Sequence, residues 1–163
     1  KKEKKAITRQ REQQKKLDNA VAELSKLTKG NKVGGDFSSK TSNLNLPVVG
    51  GSIAKSSGGT ATITGTKGAE VRSIYEGLVM RVNRNESTNH YAVFIAYGEY
   101  LSVYTNISSV TVKAGDKVKR DQKIGTVGLG VDHTGKQYGY VQFAIHDTRA
   151  GRQISVTEFF KKK

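Results

Sequence analysis

Cysteine is absent from this chain and proline occurs once. Without thiols there is no disulfide and no thiolate metal site, a composition that suits either a reducing cytosol or an envelope compartment. No run of about 18 apolar residues occurs, so nothing reads as a membrane-spanning helix. Acidic residues are scarce: Asp plus Glu number 14 against 28 for Lys plus Arg, a formal net charge of +14. Such an excess draws any polyanion through its long-range field and through counterion release. The charge is spread rather than striped, with 10 basic and 4 acidic residues in 1–29 and 18 and 10 in the remainder. No helix-turn-helix, zinc-finger or RNA-recognition signature accompanies it, so a nucleic-acid partner is not expected.

Other absences narrow the chemistry. No Gly-x-Ser-x-Gly elbow is present, so a serine hydrolase has no support. Glu70, Glu76, Glu86 and Glu99 include no pair that the strand pattern brings together, which argues against a two-carboxylate glycosidase. Gly128-Leu129-Gly130 lacks a strand-to-helix context for dinucleotides, and these glycines read as turn residues. Lipoyl and biotinyl carriers need a Lys at a hairpin tip; the corresponding stretch is Val79-Met80-Arg81-Val82, where Met80 reads as core packing. His90, His133 and His146 match no ligand spacing and read as solvated or turn residues.

What is present begins with helix. Residues 1–29 hold no Gly or Pro, are rich in Lys, Gln, Glu, Ala and Leu, and place Leu17, Ala20, Leu24 and Leu27 on one face. This predicts the end of a coiled coil, with an amphipathic helix packed on its own domain as the alternative. The absence of an initiating Met gives the expectation of a fragment whose targeting segment lies elsewhere. Gly30-Asn31 stops the helix, and the small polar residues of 30–45 predict a mobile linker.

From Leu46-Pro47-Val48 the pattern is short strands and tight turns. Strands are predicted at Thr60–Thr64, Glu70–Tyr75, Leu78–Asn83, His90–Ala96, Tyr100–Asn106, Lys123–Val127, Tyr138–Ile145 and Val156–Phe160. The stretch Val112 to Val127 carries strand, Gly115-Asp116 turn and strand, a β-arch. The fold class expected is mainly β, a sandwich or flattened barrel, with an N-terminal α-helical coiled-coil segment.

Residues 46–160 resemble the LytM domain, the lysostaphin-like zinc metallopeptidase fold, an antiparallel β-sandwich also called a duplicated hybrid motif. The resemblance rests on collinear pieces: Leu46-Pro47-Val48, Gly65-Thr66-Lys67-Gly68-Ala69-Glu70-Val71, Tyr75-Glu76-Gly77-Leu78-Val79 and Tyr91 to Ala96 with Tyr97-Gly98-Glu99-Tyr100-Leu101. Tyr104-Thr105-Asn106-Ile107, the Gly-Asp arch and Tyr140-Val141-Gln142-Phe143-Ala144-Ile145 complete the order. The domain is expected over 46–160, followed by a basic tail at 161–163.

Active relatives hold zinc with a His, an Asp four residues later and the second His of a His-x-His strand. Zinc catalysis needs such N and O ligands plus one open position. The resemblance puts Gly58 and Thr62 at the first two positions, Tyr140 and Gln142 at the His-x-His pair, and Asn106 at the auxiliary histidine. It therefore implies a degenerate, non-catalytic domain without a cofactor, whose former site has become a docking groove. The groove is expected at Gly58, Thr62, Asn106, Tyr140 and Gln142, with Tyr104 and Tyr138 as neighbours.

With a helix ahead of a degenerate domain, the chain resembles the murein hydrolase activators among LytM relatives. What this implies is a partner, an envelope N-acetylmuramoyl-L-alanine amidase or another murein hydrolase, and a membrane division complex reached through the upstream coiled coil. The expected location is the bacterial cell envelope, periplasmic or exported. Two alternatives stand beside this reading: a non-catalytic module that binds peptidoglycan or anionic wall polymer, and an active zinc endopeptidase whose ligands lie elsewhere.

Overall fold

The computed structural model describes Lys15 and residues 19–37, 44–57, 60–85, 90–131, 134–148, 152–154 and 160. Helix α1 covers 19–27. Strands β1 (Ser52–Ser57), β2 (Thr60–Gly65), β3 (Glu70–Arg72), β4 (Gly77–Asn85), β5 (His90–Tyr97) and β6 (Tyr100–Val110) are followed by β7 (Lys117–Val118), β8 (Lys123–Val131), β9 (Gln137–Asp147) and β10 (Arg152–Ile154). They form one sheet in the order β1-β2-β9-β8-β6-β5-β4-β7, with β10 beside β9 and β3 beside β8.

Every strand pairing is antiparallel. The sheet forks at β6, whose first half (Tyr100 to Thr105) pairs with β9 and whose second half (Ile107 to Val110) pairs with β8. Past the fork β8 and β9 pair with each other. One side of the forked sheet encloses a single core: Ile63, Val71, Val79, Ile95, Tyr104, Ile107, Ile124, Val141, Phe143 and Ile145 all belong to one buried cluster. The expected sandwich is thus built from one continuous sheet that closes over its own apolar side.

Strict alternation makes this possible. Along β9, Val141, Phe143 and Ile145 are buried in the core, while Tyr140 and Gln142 point to the other face. A hydroxyl pair lies inside the core: Tyr97 and Tyr104 are hydrogen-bonded to each other, and the amide of Ile74 donates to Tyr104 Oη (3.2 Å). The cluster satisfies polar groups that burial would otherwise penalise. The Gly-Asp arch forms as expected, with Gly115 at φ 94° and its amide donating to Val79 O (2.8 Å), which clips the arch onto β4.

The N-terminal region differs from expectation. The coiled-coil prediction over 1–29 lies largely outside the described residues. In the turns that are described, Ala20 and Leu24 pack against Phe94, Leu101 and Val103 on the outer face of this chain's own sheet, whereas Leu27 is 60% exposed. Met80 joins the same cluster, as its reading as core packing required. The linker prediction is corrected over 31–37: the Asn31 carboxamide donates to Gly98 O (2.8 Å), the Gly98 amide donates to Val33 O (2.7 Å), and Phe37 is buried against Tyr75, Tyr97 and Tyr100. The buried Phe37 ring and these hydrogen bonds together anchor the segment. Residues 38–43 lie outside the described set, as do 156–159 of the strand predicted at Val156–Phe160. Phe160 itself is buried and bridges to Leu44 in parallel.

Candidate functional site

The outer face of β2, β9, β6 and β8 carries the candidate residues. Thr62 on β2 lies directly opposite Gln142 on β9, and Thr64 lies opposite Tyr140. On the other flank of β9, Thr105 is the partner of Gln142, and its hydroxyl donates to Gln142 O (3.3 Å). Side chains of directly opposed residues share one face, so Thr62, Gln142 and Thr105 form a row across three strands.

Asn106 stands at the fork. Its φ is 70°, a left-handed backbone that non-glycine residues seldom adopt and that Asn tolerates best. Its Nδ2 donates to Tyr140 O (3.1 Å), tying β6 to β9 where their ladder ends. Gly128 of β8 faces this residue so closely that an added Cβ would strike Asn106 O and lie 2.7 Å from Nδ2. The sheet divides here because Asn106 turns out of the strand and Gly128 leaves room for it.

Tyr138 and Tyr140 follow on the same face, ring centroids 5.7 Å apart and planes 38° from each other. Burial, then the neighbouring Tyr138, pushes the Tyr140 phenol above its ordinary value, so it is a neutral hydrogen-bonding group at physiological pH.

The placement of the sequence candidates is therefore mixed. Thr62, Asn106, Tyr140, Gln142 and Tyr138 come together on one face. Gly58 lies outside the described residues. Tyr104 is corrected: it is fully buried on the opposite side of the sheet, its ring 4.8 Å from that of Phe143, and it lines no groove. The alternation of β6 decides this, since Val103 and Thr105 face outward and the residue between them faces the core. Sequence reasoning did not pick out Thr64 and Thr105, and its reading of Gly128 and Gly130 as turn residues is corrected, since both lie within β8; strand pairing with Tyr140 and Gln142 is the signal that finds Thr64, Thr105 and Gly128.

These side chains do not suit a zinc ion. A hydroxyl at Thr62 and a carboxamide at Gln142 are neutral, weak donors, and the Asn106 amide nitrogen is committed to a carbonyl. Among the described residues no group of His, Asp and Glu is placed to hold a metal. His90 opens β5 and His146 lies opposite Leu101, while His133 falls outside the described residues.

A forked antiparallel sheet with a Gly-Asp arch and its candidate site on the outer face of the central strands defines a lysostaphin-like domain. The chain belongs to peptidase family M23, whose model matches residues 57–155. No curated protein sequence matches it. Among solved structures it is similar to Csd3 of Helicobacter pylori (TM-score 0.57, 20% identity, 76% of this chain and 36% of that one). An M23-type protein of Pseudomonas aeruginosa gives a TM-score of 0.61 at 17% identity over 86% of this chain and 59% of that one. The complex of SpoIIIAH and SpoIIQ gives 0.56 at 22% identity, covering 69% and 96%. The chain thus spans about a third of Csd3 (36%) and under two thirds (59%) of the Pseudomonas structure.

Proposed function

We propose that this M23-family domain is non-catalytic and acts in the bacterial cell envelope by recruiting and activating a murein hydrolase, an N-acetylmuramoyl-L-alanine amidase in the first instance. The observation that carries the reading is the row Thr62–Gln142–Thr105 with Asn106 beside it. Positions that resemble a zinc-ligand set carry neutral hydroxyl and carboxamide groups on an intact sheet. A face so built supplies hydrogen bonds and shape, not a Lewis acid. In its combination of helix and degenerate domain the chain resembles the murein hydrolase activator EnvC, which supports an activator role and a division complex reached through upstream sequence.

Activation by binding needs a groove that prefers the partner's open state, and a few kcal/mol of differential affinity moves an inhibited enzyme from about 1% to mostly open. Because one solved structure of this fold is a complex of two proteins, a protein partner is compatible with the fold.

The test is dye release from labelled walls, with and without a purified envelope amidase. The chain alone releases nothing, and adding it to the amidase raises release; Gln142→Arg, which puts bulk and charge on the row, removes the stimulation. Chelator-sensitive release by the chain alone would overturn the proposal and return the domain to the active peptidases.

A further inference from the structure

We propose that Tyr138 and Tyr140 form a binding ledge for an uncharged pyranose, part of an oligosaccharide strand lying across β8 and β9. The inference starts from Gly130. A Cβ at that position would lie 2.8 Å from Tyr138 Cζ and from Tyr140 Cε1, and 2.9 Å from Tyr138 Oη. Both rings therefore lean over the bare backbone of β8 instead of standing away from the sheet. The two rings, 5.7 Å apart and 38° from coplanar, together make a shallow apolar floor.

The polar groups around this floor select the ligand. Thr64 lies opposite Tyr140, and the row Thr62–Gln142–Thr105 follows two residues along. All are hydroxyls and carboxamides; none is ionised, in a protein of net charge +14. An anionic polymer finds its counter-charges elsewhere on the molecule, and a purely apolar ligand would leave these groups unpaired. A pyranose has an apolar C–H face to lie on an aromatic ring and an equatorial rim of hydroxyl or N-acetyl groups to pair with hydroxyls and carboxamides.

A peptide strand is less well matched. Extended peptides bind by adding to a sheet edge, where main-chain groups are available. β9 is an interior strand, paired with β2 on one side and with β6 and β8 on the other. Tyr138 lies four residues from Gln142 along β9, about 13 Å at strand rise. Tyr140, two residues from Gln142, makes the ledge continuous with the row assigned to the partner protein, so the two readings are told apart by their readouts: sugar-induced shifts for the ledge and amidase stimulation for the row.

The experiment is an amide-resolved NMR titration of the whole chain with the N-acetylglucosamine tetramer, the glucose tetramer and an uncharged pentapeptide. The expected result is saturable shifts confined to residues 128–130 and 138–142 with a sugar, at a dissociation constant of about 1 mM. Tyr138→Ala or Tyr140→Ala weakens this about tenfold or more, whereas Tyr140→Phe, which keeps the ring, retains it. Gly130→Ala, which lifts both rings, also abolishes binding, and the dispersion of the spectrum shows whether that variant has folded. Absence of shifts with both sugars overturns the proposal, as do shifts unchanged in Tyr138→Ala. Shifts with the pentapeptide alone would make the ledge a peptide groove and overturn it equally. Amidase stimulation in the wall assay is scored independently on the same variants.

Discussion

Along β6 and β9 the outer face of the sheet changes character within two residues. Val103, opposite Ala144, belongs to the apolar cluster covered by Ala20 and Leu24 of α1. Thr105, opposite Gln142, begins a stretch that α1 does not cover and that carries hydroxyls, carboxamides and two tyrosines. The strands are the same and so is the pairing. An apolar patch requires a roof, because leaving Phe94, Leu101 and Val103 in water forfeits the burial that stabilises them. A neutral polar patch requires none, because its hydroxyls and carboxamides are well solvated. The helix tip is fixed in place by Thr28, whose buried hydroxyl meets Thr148 Oγ1 (3.1 Å), and by the paired Glu23 and Arg81 (2.8 Å). The roofed end of the face contributes to folding stability, and the polar end is the one proposed to bind.

Substitutions on the two ends separate these roles. The largest effect is expected from Leu24→Ala, which empties the roof over Phe94 and Val103 and costs about 2–4 kcal/mol. Urea unfolding with dye binding reports it, and an unchanged midpoint would mean that α1 is not a structural part of the domain. Next is Gly128→Ala at the fork: its Cβ meets Asn106 O, so the fork shifts at a cost of about 1–3 kcal/mol. Amide shifts of Asn106 and Tyr140 reveal the displacement.

Tyr97→Phe removes one half of the buried hydroxyl pair, and a loss of about 1 kcal/mol is expected, since Tyr104 keeps the Ile74 amide as a donor. The same core predicts alkaline sensitivity. Burial holds the Tyr97 and Tyr104 phenols above their ordinary value, and burial together with the hydrogen bond to Asp36 pushes Tyr75 up to about 12. A raised folded-state value means that the native state keeps protons the unfolded chain has released. This stabilisation is complete below about pH 10, where unfolded tyrosine begins to ionise, and is lost as pH rises from there toward 12 and beyond. Urea midpoints from pH 8 upward measure the decline; a flat profile would contradict the buried placement of the pair.

The smallest stability effects belong to the open end. Thr62→Ala and Gln142→Ala are expected to change unfolding free energy by no more than about 0.5 kcal/mol. Their consequence appears in amidase stimulation, which falls while thermal stability holds. A large loss of stability at Gln142 would erase the contrast between the two ends.

Much of this architecture was legible in the chain. Alternation in Tyr140-Val141-Gln142-Phe143 marked which side of β9 faces the core, and the Gly115-Asp116 arch marked its own turn, because both signals are local. β1 was missed, since Ser52-Ile53-Ala54 shows no clear alternation and takes its place as an edge strand only by pairing with β2. β10, three residues long, is likewise defined by its partner β9. Sequence proximity to Asn106 suggests Tyr104 as a neighbour of the groove, yet one residue along a strand is the opposite face.

The order of residues alone determined the β class, the family resemblance and the neutral character of Thr62, Asn106 and Gln142, because composition, turn chemistry and residue type are written locally. Only the tertiary structure decided that β6 forks at Asn106, that Gly128 and Gly130 clear the space above β8, and that α1 roofs one end of the face. Each of these depends on which atoms meet between different strands, or between strand and helix, from Gly130 against Tyr138 to Leu24 against Phe94, and the folded sheet fixes that distance where sequence separation does not.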